Sequence, residues 1–184
     1  MDIYYHHTQT DLGLALVAFS PVGVCFLQFG KSLTDLRKEL QITFPSNPLK
    51  AVEKREEPLL EKVERAITAA IAGYDSDAHD IPIALHGTKF QRSVWEYLRS
   101  IPSGEVRSYA EVARGLDLPR AARAVARACG ANSIALLIPC HRVVRSDGTL
   151  GGYRWGIEAK RRLLAAERVT LYQGNSVTGD MPDS

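Results

Sequence analysis

Two helix-start signals in the second half of the chain limit its fold more than any other feature. Thr88-Lys89-Phe90-Gln91 and Ser108-Tyr109-Ala110-Glu111 both place a hydroxyl three residues before a Gln or Glu. This spacing is a capping box, in which each of the two side chains hydrogen-bonds the backbone amide of the other residue. Apolar residues at helical spacing follow both signals. The sequence therefore predicts two short helices that begin close to residues 89 and 109.

A third helix is predicted directly after these two. Asp117-Leu118-Pro119 is expected to start it, and it should run to about Gly130. Two short helices joined by a tight turn are typical of a helix-turn-helix. Arg120, Arg123 and Arg127 fall on one face of the third helix, which is otherwise rich in alanine. Such a face favours close approach to a nucleic-acid groove, although a solvated charged face is the commoner explanation of an arginine stripe.

The charged residues are unevenly distributed along the chain. Residues 1–86 hold 8 Lys/Arg and 12 Asp/Glu, whereas residues 87–184 hold 15 Lys/Arg and 9 Asp/Glu. The basic second part could bind a polyanion such as a nucleic acid, and a mildly basic enzyme surface would explain the same asymmetry.

The first part of the chain predicts strands and helices without chemistry of its own. Two β-rich runs, Leu14–Phe19 and Val22–Phe29, predict a hairpin. One helix is expected at Leu33–Leu40 and a second between Pro58 and Gly73. The expected connections are a loop at Pro45–Lys50, a linker at Tyr74–Asp80 and a short strand at Ile81–Leu85.

The cysteines limit the redox chemistry and the kinds of site. Cys25, Cys129 and Cys140 lie far apart and form no CxxC motif, which argues against a disulfide framework and a cysteine zinc site. The chain starts without a basic region followed by an apolar core, and no apolar run reaches membrane-spanning length. We therefore expect a cytoplasmic protein with reduced thiols, no metal, no cofactor and no membrane contact.

Cys140 carries the chemistry that the residues themselves suggest. It stands beside His141, and a cysteine next to a base is the minimal arrangement for an activated thiolate. Adjacent side chains of an extended chain point apart, so contact needs a turn or a bridging water. Glu167, on the apolar face of a predicted helix Ile157–Arg168, would orient His141 and stabilise its imidazolium. An inert cysteine, a core histidine and a surface glutamate explain the spacing equally well.

The motifs around Cys140 resemble those of the O6-alkylguanine-DNA alkyltransferases, also called methylated-DNA–protein-cysteine methyltransferases. The resemblance covers residues 87–167, extends more loosely over the N-terminal part, and is closest to the C-terminal half of the bacterial adaptive-response members. The matching motifs are Gly87-Thr88-Lys89-Phe90-Gln91, Val94-Trp95, Ile101-Pro102, Ser108-Tyr109, Arg123-Ala124-Val125, Asn132, Pro139-Cys140-His141-Arg142-Val143, Asp147-Gly148, Gly152-Tyr153-Arg154-Trp155-Gly156, Lys160, Leu163-Leu164 and Glu167.

The resemblance implies an α+β fold with two domains. Residues 1–80 would form a ribonuclease H-like α/β domain, with a small antiparallel sheet and helices. Residues 81–169 would form a mostly helical, winged-helix-like (helix-turn-helix) DNA-binding domain that carries the reactive cysteine. Residues 170–184 are polar and are expected to be a flexible tail.

The resemblance also implies catalytic roles. Cys140 would attack the alkyl carbon on O6 of guanine and keep the alkyl group as a thioether. His141 would take the thiol proton through a water molecule, and Glu167 would orient His141. Tyr109 would donate a hydrogen bond or a proton to the leaving guanine, and Asn132 would hold the turn that presents Cys140.

A second group of residues would bind the substrate and the DNA. Arg123 would enter the duplex where the base has flipped out. The backbone of Val143 and the amide of Arg154 would contact the guanine, and Tyr153 would form a wall of the pocket. The other residues expected at the pocket or on the DNA are Trp155, Lys160, Ser108, Arg120 and Arg127.

The expected partner is double-stranded DNA that contains O6-alkylguanine. The protein would act once per molecule as a monomer, with minor activity on O4-methylthymine and cooperative assembly on DNA left open. Ala135, together with the bulk of Arg154 and Trp155, predicts a narrow pocket that prefers methyl to benzyl. The zinc module of the adaptive-response members has no counterpart here, so metal-triggered transcriptional activation is not expected.

Two alternatives compete with repair. Non-repairing relatives bind alkylated DNA but usually carry Trp in place of the acceptor cysteine, and Cys140 argues against that role. A redox-sensing regulator would need a second thiol for Cys140, and the sequence shows no route from Cys25 or Cys129.

Overall fold

The computed structural model describes residues 1–53, 57–74 and 77–170. Strands and helices alternate in the first part, and short helices dominate the second, which confirms the α+β class. The described residues also contain 3₁₀ turns at Asp77–Asp80 and Cys140–Arg142. In chain order the elements are β1 (Ile3–Thr10), β2 (Gly13–Ser20), β3 (Gly23–Gly30), α1 (Leu33–Thr43), β4 (Leu49–Ala51), α2 (Pro58–Ile71), α3 (Lys89–Arg99), β5 (Arg107–Ser108), α4 (Tyr109–Gly115), α5 (Ala122–Gly130), β6 (Val143–Val144) and α6 (Ile157–Ala166).

The N-terminal sheet has the strand order β3-β2-β1-β4. The predicted hairpin is confirmed, because β2 and β3 pair antiparallel. The sheet predicted to be antiparallel is mixed, since β4 pairs parallel to β1, with Ile3 opposite Leu49. The chain leaves β3, crosses through α1 and returns at the far edge, and a helical crossover of this kind produces parallel strands. The predicted loop Pro45–Lys50 therefore contains the start of β4, and β1 was not predicted.

Both faces of this sheet are covered. Leu16, Ala18 and Phe26 pack with Leu36 and Leu40 of α1. On the opposite face, residues of β2 and β3 join the main core together with α2, α3 and α5. Burial on both faces explains why β2 and β3 are continuous apolar runs instead of alternating ones.

The second part confirms both capping boxes and corrects one helix. Thr88 and Ser108 cap α3 and α4, and in each box both reciprocal hydrogen bonds are present. The helix expected from Asp117 begins only at Ala122. Asp117 has a left-handed φ of 58°, and the residue before Pro119 is disfavoured in a helix. Arg120 therefore lies in the turn before α5 and not on its face.

The two parts share one apolar core. Beyond β2, the backbone of β3 pairs with later segments: the Leu27 amide donates to the Ser133 carbonyl at 2.9 Å, and the Val24 amide donates to the Pro82 carbonyl at 2.9 Å. The strand expected at Ile81–Leu85 is reduced to a single bridge between Val24 and Ile83. The division of the chain after residue 80 stays a prediction.

Within residues 1–53, 57–74 and 77–170, no helix has the length and apolar character needed to cross a bilayer. Apart from residue 170, the predicted tail lies outside the described residues, as do residues 75 and 76 of the predicted linker.

Candidate active site

Cys140 begins a tight turn that joins a buried segment to β6. The Cys140 amide donates to the Ile138 carbonyl at 2.8 Å, and the Arg142 amide donates to the Pro139 carbonyl at 3.0 Å. The turn continues into β6, where Val143 pairs with Arg107 of β5 just before α4. The extended geometry that would separate Cys140 from His141 is therefore absent at this position, and the thiol is placed close to α4 and α5.

Asn132 ties the thiol to this turn. Its side chain is fully buried, and its Nδ2 donates to Cys140 Sγ at 3.2 Å and to the Ile138 carbonyl at 3.0 Å. Its Oδ1 accepts from the Ile134 amide at 2.8 Å. One amide side chain thus fixes both the backbone before Cys140 and the position of the sulfur.

His141 and Glu167 form a buried pair. His141 Nε2 lies 2.9 Å from Glu167 Oε1, and the two side chains are 0% and 1% exposed. Glu167 follows directly on α6 as its C-terminal cap. The other ring nitrogen, Nδ1 of His141, is buried without a hydrogen-bond partner among the residues that the structure describes. It is therefore available to a water molecule or to a substrate.

Arg142 completes this arrangement, and the sequence analysis gave it no role. Its Nη2 donates to Glu167 Oε1 at 2.9 Å, and its Nε lies 3.1 Å from each carboxylate oxygen. Its Nη1 donates to the Ile101 carbonyl at 2.5 Å, and the Gly104 amide donates to Glu167 Oε2 at 3.2 Å. The sequence did contain a signal for this role of Arg142. Glu167 was predicted to be buried, a buried carboxylate requires a cation nearby, and Arg142 is next to His141 in the chain.

A pocket of about 440 Å³ opens onto Cys140. The pocket is lined by residues near the end of α5, by Gly152, Tyr153 and Arg154 of a later loop, and by Tyr109. Trp155 belongs to the same loop and packs edge-on against Tyr153, with ring centroids 5.1 Å apart. That Arg154 and Trp155 narrow the pocket, and that the pocket prefers methyl to benzyl, stay predictions.

Cys129 and Cys140 both line this pocket. That Cys129 has no route to a disulfide with Cys140 stays a prediction. All three cysteines fall within the described residues and are free thiols. Burial raises the pKa of the Cys129 thiol and keeps it protonated.

Comparisons with known proteins agree on one family. The family model described as "6-O-methylguanine DNA methyltransferase, DNA binding domain" matches residues 89–169. A methylated-DNA–protein-cysteine methyltransferase of Haemophilus influenzae is 40% identical over 82% of this chain and 83% of the relative. The chain belongs to the O6-methylguanine DNA methyltransferase family.

Two further relatives place the chain within this methyltransferase family. The bifunctional transcriptional activator/DNA repair enzyme Ada of Escherichia coli is 41% identical over 90% of this chain, and the chain spans 45% of the length of Ada. A crystal structure of the Mycobacterium tuberculosis OGT in complex with DNA has a TM-score of 0.70 and 31% identity, and the match covers 90% of this chain and 92% of that one.

Burial and neighbouring charges set the protonation states of Cys140, His141 and Glu167. Burial lowers the pKa of His141, and Glu167 offsets this only in part, so the imidazole is neutral near pH 7. Burial by itself would raise the pKa of Glu167, but hydrogen bonds and charge from His141 and Arg142 lower it to about 2. Burial raises the pKa of Cys140, and the Asn132 hydrogen bond and the Lys160 charge oppose that rise. The resting state is therefore a thiol, a neutral imidazole and a carboxylate.

Tyr109 is the first residue of α4, and its ring lines the pocket. A Cβ placed on Gly151 would lie 2.8 Å from the Tyr109 hydroxyl oxygen, so the close approach of loop and phenol requires glycine there. Gly151 also has a left-handed φ of 66°. Burial raises the pKa of Tyr109 to about 12, which leaves its hydroxyl protonated and able to donate.

Lys160 holds the pocket loop from inside the protein. Its side chain is fully buried, and its Nζ donates to the carbonyls of Val143 at 2.5 Å, Leu150 at 2.5 Å and Gly152 at 3.4 Å. Burial lowers the pKa of Lys160 to about 8. The ammonium thus ties α6 to β6 and to the loop that lines the pocket.

The remaining predicted binding residues lie in different settings. Arg120, Arg123 and Arg127 are exposed, and Arg127 also lines the pocket. Arg154 lines the pocket as well, and its Nη2 lies 3.2 Å from Glu39 Oε2 of α1. The Ser108 hydroxyl accepts from the Glu111 amide as the cap of α4. Whether each of these residues contacts DNA stays a prediction.

Proposed function

We propose that this protein transfers the alkyl group of O6-alkylguanine in duplex DNA to its own Cys140. One observation carries the proposal: Cys140 lines the pocket, and the next residue, His141, is buried with its Nε2 2.9 Å from Glu167 Oε1. A neutral base oriented by a buried carboxylate is what a thiol needs in order to become a nucleophile. The names of the relatives, methylated-DNA–protein-cysteine methyltransferases, support the same reaction.

The reaction starts with proton transfer from the thiol. Nδ1 of His141 faces no partner among the described residues, and a water molecule there would relay the proton of Cys140 to the imidazole. Glu167 stabilises the imidazolium, because Arg142 keeps the carboxylate ionised. Asn132 positions the sulfur through its 3.2 Å hydrogen bond.

Alkyl transfer then breaks one bond and forms another. The Cys140 thiolate attacks the alkyl carbon, the C–O bond to guanine breaks, and its electron pair remains on the base. Tyr109, protonated in the pocket wall, donates a hydrogen bond or a proton to the departing guanine and lowers the barrier. The product is a thioether, which water does not cleave under mild conditions, so each molecule reacts once.

The substrate reaches the pocket by base flipping. Extruding a base costs a few kcal/mol, and less for a damaged base that pairs poorly. Arg123, exposed on α5, would occupy the gap that the flipped base leaves in the duplex. Binding through phosphates makes association depend weakly on sequence and strongly on salt.

We further propose that the protein acts as a monomer in the cytoplasm and that O4-methylthymine is a minor substrate.

The experiment follows the alkyl group itself. Duplex DNA with one radiolabelled O6-methylguanine is incubated with the wild type, with Cys140→Ala and with Cys25→Ala, a buried thiol outside the pocket. Label should move one-to-one to the peptide that contains Cys140 in the wild type and in Cys25→Ala, and Cys140→Ala should transfer none. If the label stays on the DNA in every reaction, the proposed alkyl transfer is wrong. If the label appears on the peptide that contains Cys129, then Cys129 and not Cys140 is the acceptor.

A further inference from the structure

Two arginines line the pocket of Cys140, and among the described residues only one of them has an ion-pair partner. Arg154 is held by Glu39 at 3.2 Å. Arg127 also lines the pocket, and its exposed side chain makes no hydrogen bond or ion pair to the residues in 1–53, 57–74 and 77–170. Arg127 is therefore the cation of the pocket wall that is available to an anionic ligand.

The position of Arg127 on α5 tells which part of a ligand it would meet. It lies one turn after Arg123, and both are on the exposed face of the helix. Ala126, Cys129 and Gly130, its neighbours on the same helix, also form the pocket wall. The guanidinium thus lies where the wall of the pocket meets the surface proposed to face DNA.

We propose that Arg127 binds the backbone phosphate next to the flipped alkylguanine nucleotide. This inference rests on the proposed function, because the base must enter the pocket beside Cys140. A nucleotide inserted base-first leaves its sugar and phosphate at the pocket mouth, within reach of an arginine on the rim. Guanidinium groups bind phosphate oxygens with two donors in a fixed fork, so the contact orients the nucleotide as well as attracting it.

This role differs from the one proposed for Arg123. Arg123 acts only where a base pair has been opened, so it matters for duplex substrates. Arg127 binds the nucleotide that has been extruded, so it matters for any strand, single or double. Alkylguanine within a phosphodiester chain should therefore react faster than the free base, because only the nucleotide offers Arg127 a phosphate.

Three substrates separate the two arginines. Rate constants for methyl transfer to Cys140 are measured with free O6-methylguanine, with a single-stranded oligonucleotide that contains one O6-methylguanine, and with the matching duplex. For Arg127→Ala, the ratio of the single-strand rate to the free-base rate should fall about tenfold, the size expected for a lost charge-assisted contact. Arg127→Lys should recover part of this ratio, because it keeps the charge without the fork.

Two control variants, a folding check and the salt dependence distinguish phosphate binding by Arg127 from other effects. Arg65→Ala, an exposed arginine of α2 outside the pocket, should keep the wild-type ratio. Arg123→Ala should lower the ratio of duplex to single-strand rates instead. Circular dichroism checks folding, and alanine at position 127 favours the helix. The slope of the logarithm of the single-strand rate against the logarithm of salt concentration should become shallower by about 0.7 in Arg127→Ala.

Three results would overturn the inference. An unchanged ratio of single-strand to free-base rates in Arg127→Ala would show that no phosphate is bound there. A loss confined to the duplex would make Arg127 part of general duplex binding. If Arg127→Ala slows the reaction with free O6-methylguanine by the same factor, Arg127 contacts the base and not a phosphate. Failure of the wild type on all three substrates would overturn the proposed function first, and this outcome is distinct from the others.

Discussion

His141 Nε2 lies 2.9 Å from Glu167 Oε1, and these residues are 26 positions apart in the chain. The carboxylate is held on its other side by the Arg142 guanidinium at 2.9 Å. Glu167 therefore orients His141, and Arg142 holds the negative charge of the Glu167 carboxylate. Three residues act as one unit, and its loss can be measured in the rate of alkyl transfer and in acid stability.

Glu167→Gln should slow methyl transfer by about 10- to 100-fold, as is typical when the partner that orients a functional histidine is replaced. Glutamine keeps the shape of the side chain but removes the charge that stabilises the imidazolium. Single-turnover transfer from labelled DNA measures the rate. Glu158→Gln, an exposed glutamate in the first turn of α6, is the matched control. Equal rates in both variants would show that Glu167 does not act on His141.

Acid should remove the contribution of Glu167 to stability. Its pKa is lowered to about 2 in the folded protein, whereas that of an unfolded glutamate is about 4.3. The unfolded state binds the proton first, so this contribution, roughly 3 kcal/mol, is present above pH 4.3 and is lost as the pH falls towards 2. Urea unfolding from pH 7 to pH 2 should show the difference between wild type and Glu167→Gln shrinking. A constant difference would contradict the assigned pKa.

Asn132→Ala should destabilise the protein by about 2 kcal/mol, because it leaves the Ile134 amide unpaired in the core and removes one of the two hydrogen bonds of the Ile138 carbonyl. The loss of its hydrogen bond to Cys140 should also slow methyl transfer at temperatures where the variant is still folded. Urea denaturation and single-turnover transfer measure the two effects. Asn47→Ala, which removes an exposed hydrogen bond to the Met1 carbonyl, should change either by little.

Lys160→Met should slow methyl transfer by about 10- to 100-fold, because a small displacement of the pocket loop misplaces the substrate. The free energy of unfolding should fall by only about 1–2 kcal/mol, because methionine fills a similar volume and removes a buried charge but leaves the buried Val143 carbonyl without this donor. Lys62→Met, an exposed lysine of α2, is the matched control. The test compares the change in the methyl-transfer rate with the change in the free energy of unfolding. A normal transfer rate in Lys160→Met would show that the Lys160 hydrogen bonds do not shape the pocket.

Arg123→Ala should impair repair of O6-methylguanine in duplex DNA far more than reaction with the free base. Its side chain is exposed on α5, so removing it leaves the core intact and removes the group proposed to fill the gap in the duplex. The two rate constants are measured with the same labelled methyl group. Comparable losses on both substrates would contradict a role in base flipping.

The sequence determined the parts of this protein whose hydrogen bonds close within a few residues. The two capping boxes place the starts of α3 and α4, because each box pairs groups only three residues apart. The β2–β3 hairpin follows for the same reason from a short turn between two apolar runs. Cys140 was predicted to be the reactive cysteine from its motif, since a thiol beside a histidine is a local pattern.

Only the tertiary structure decided which distant groups meet. The parallel pairing of β4 with β1 depends on the path of the chain through α1, which no local pattern encodes. Packing of α6 behind the Cys140 turn brings Glu167 to both His141 and Arg142, and the end of α5 brings Cys129 and Arg127 to the pocket. Side-chain identity sets what each group can do, but burial against a particular neighbour sets its charge and its partner.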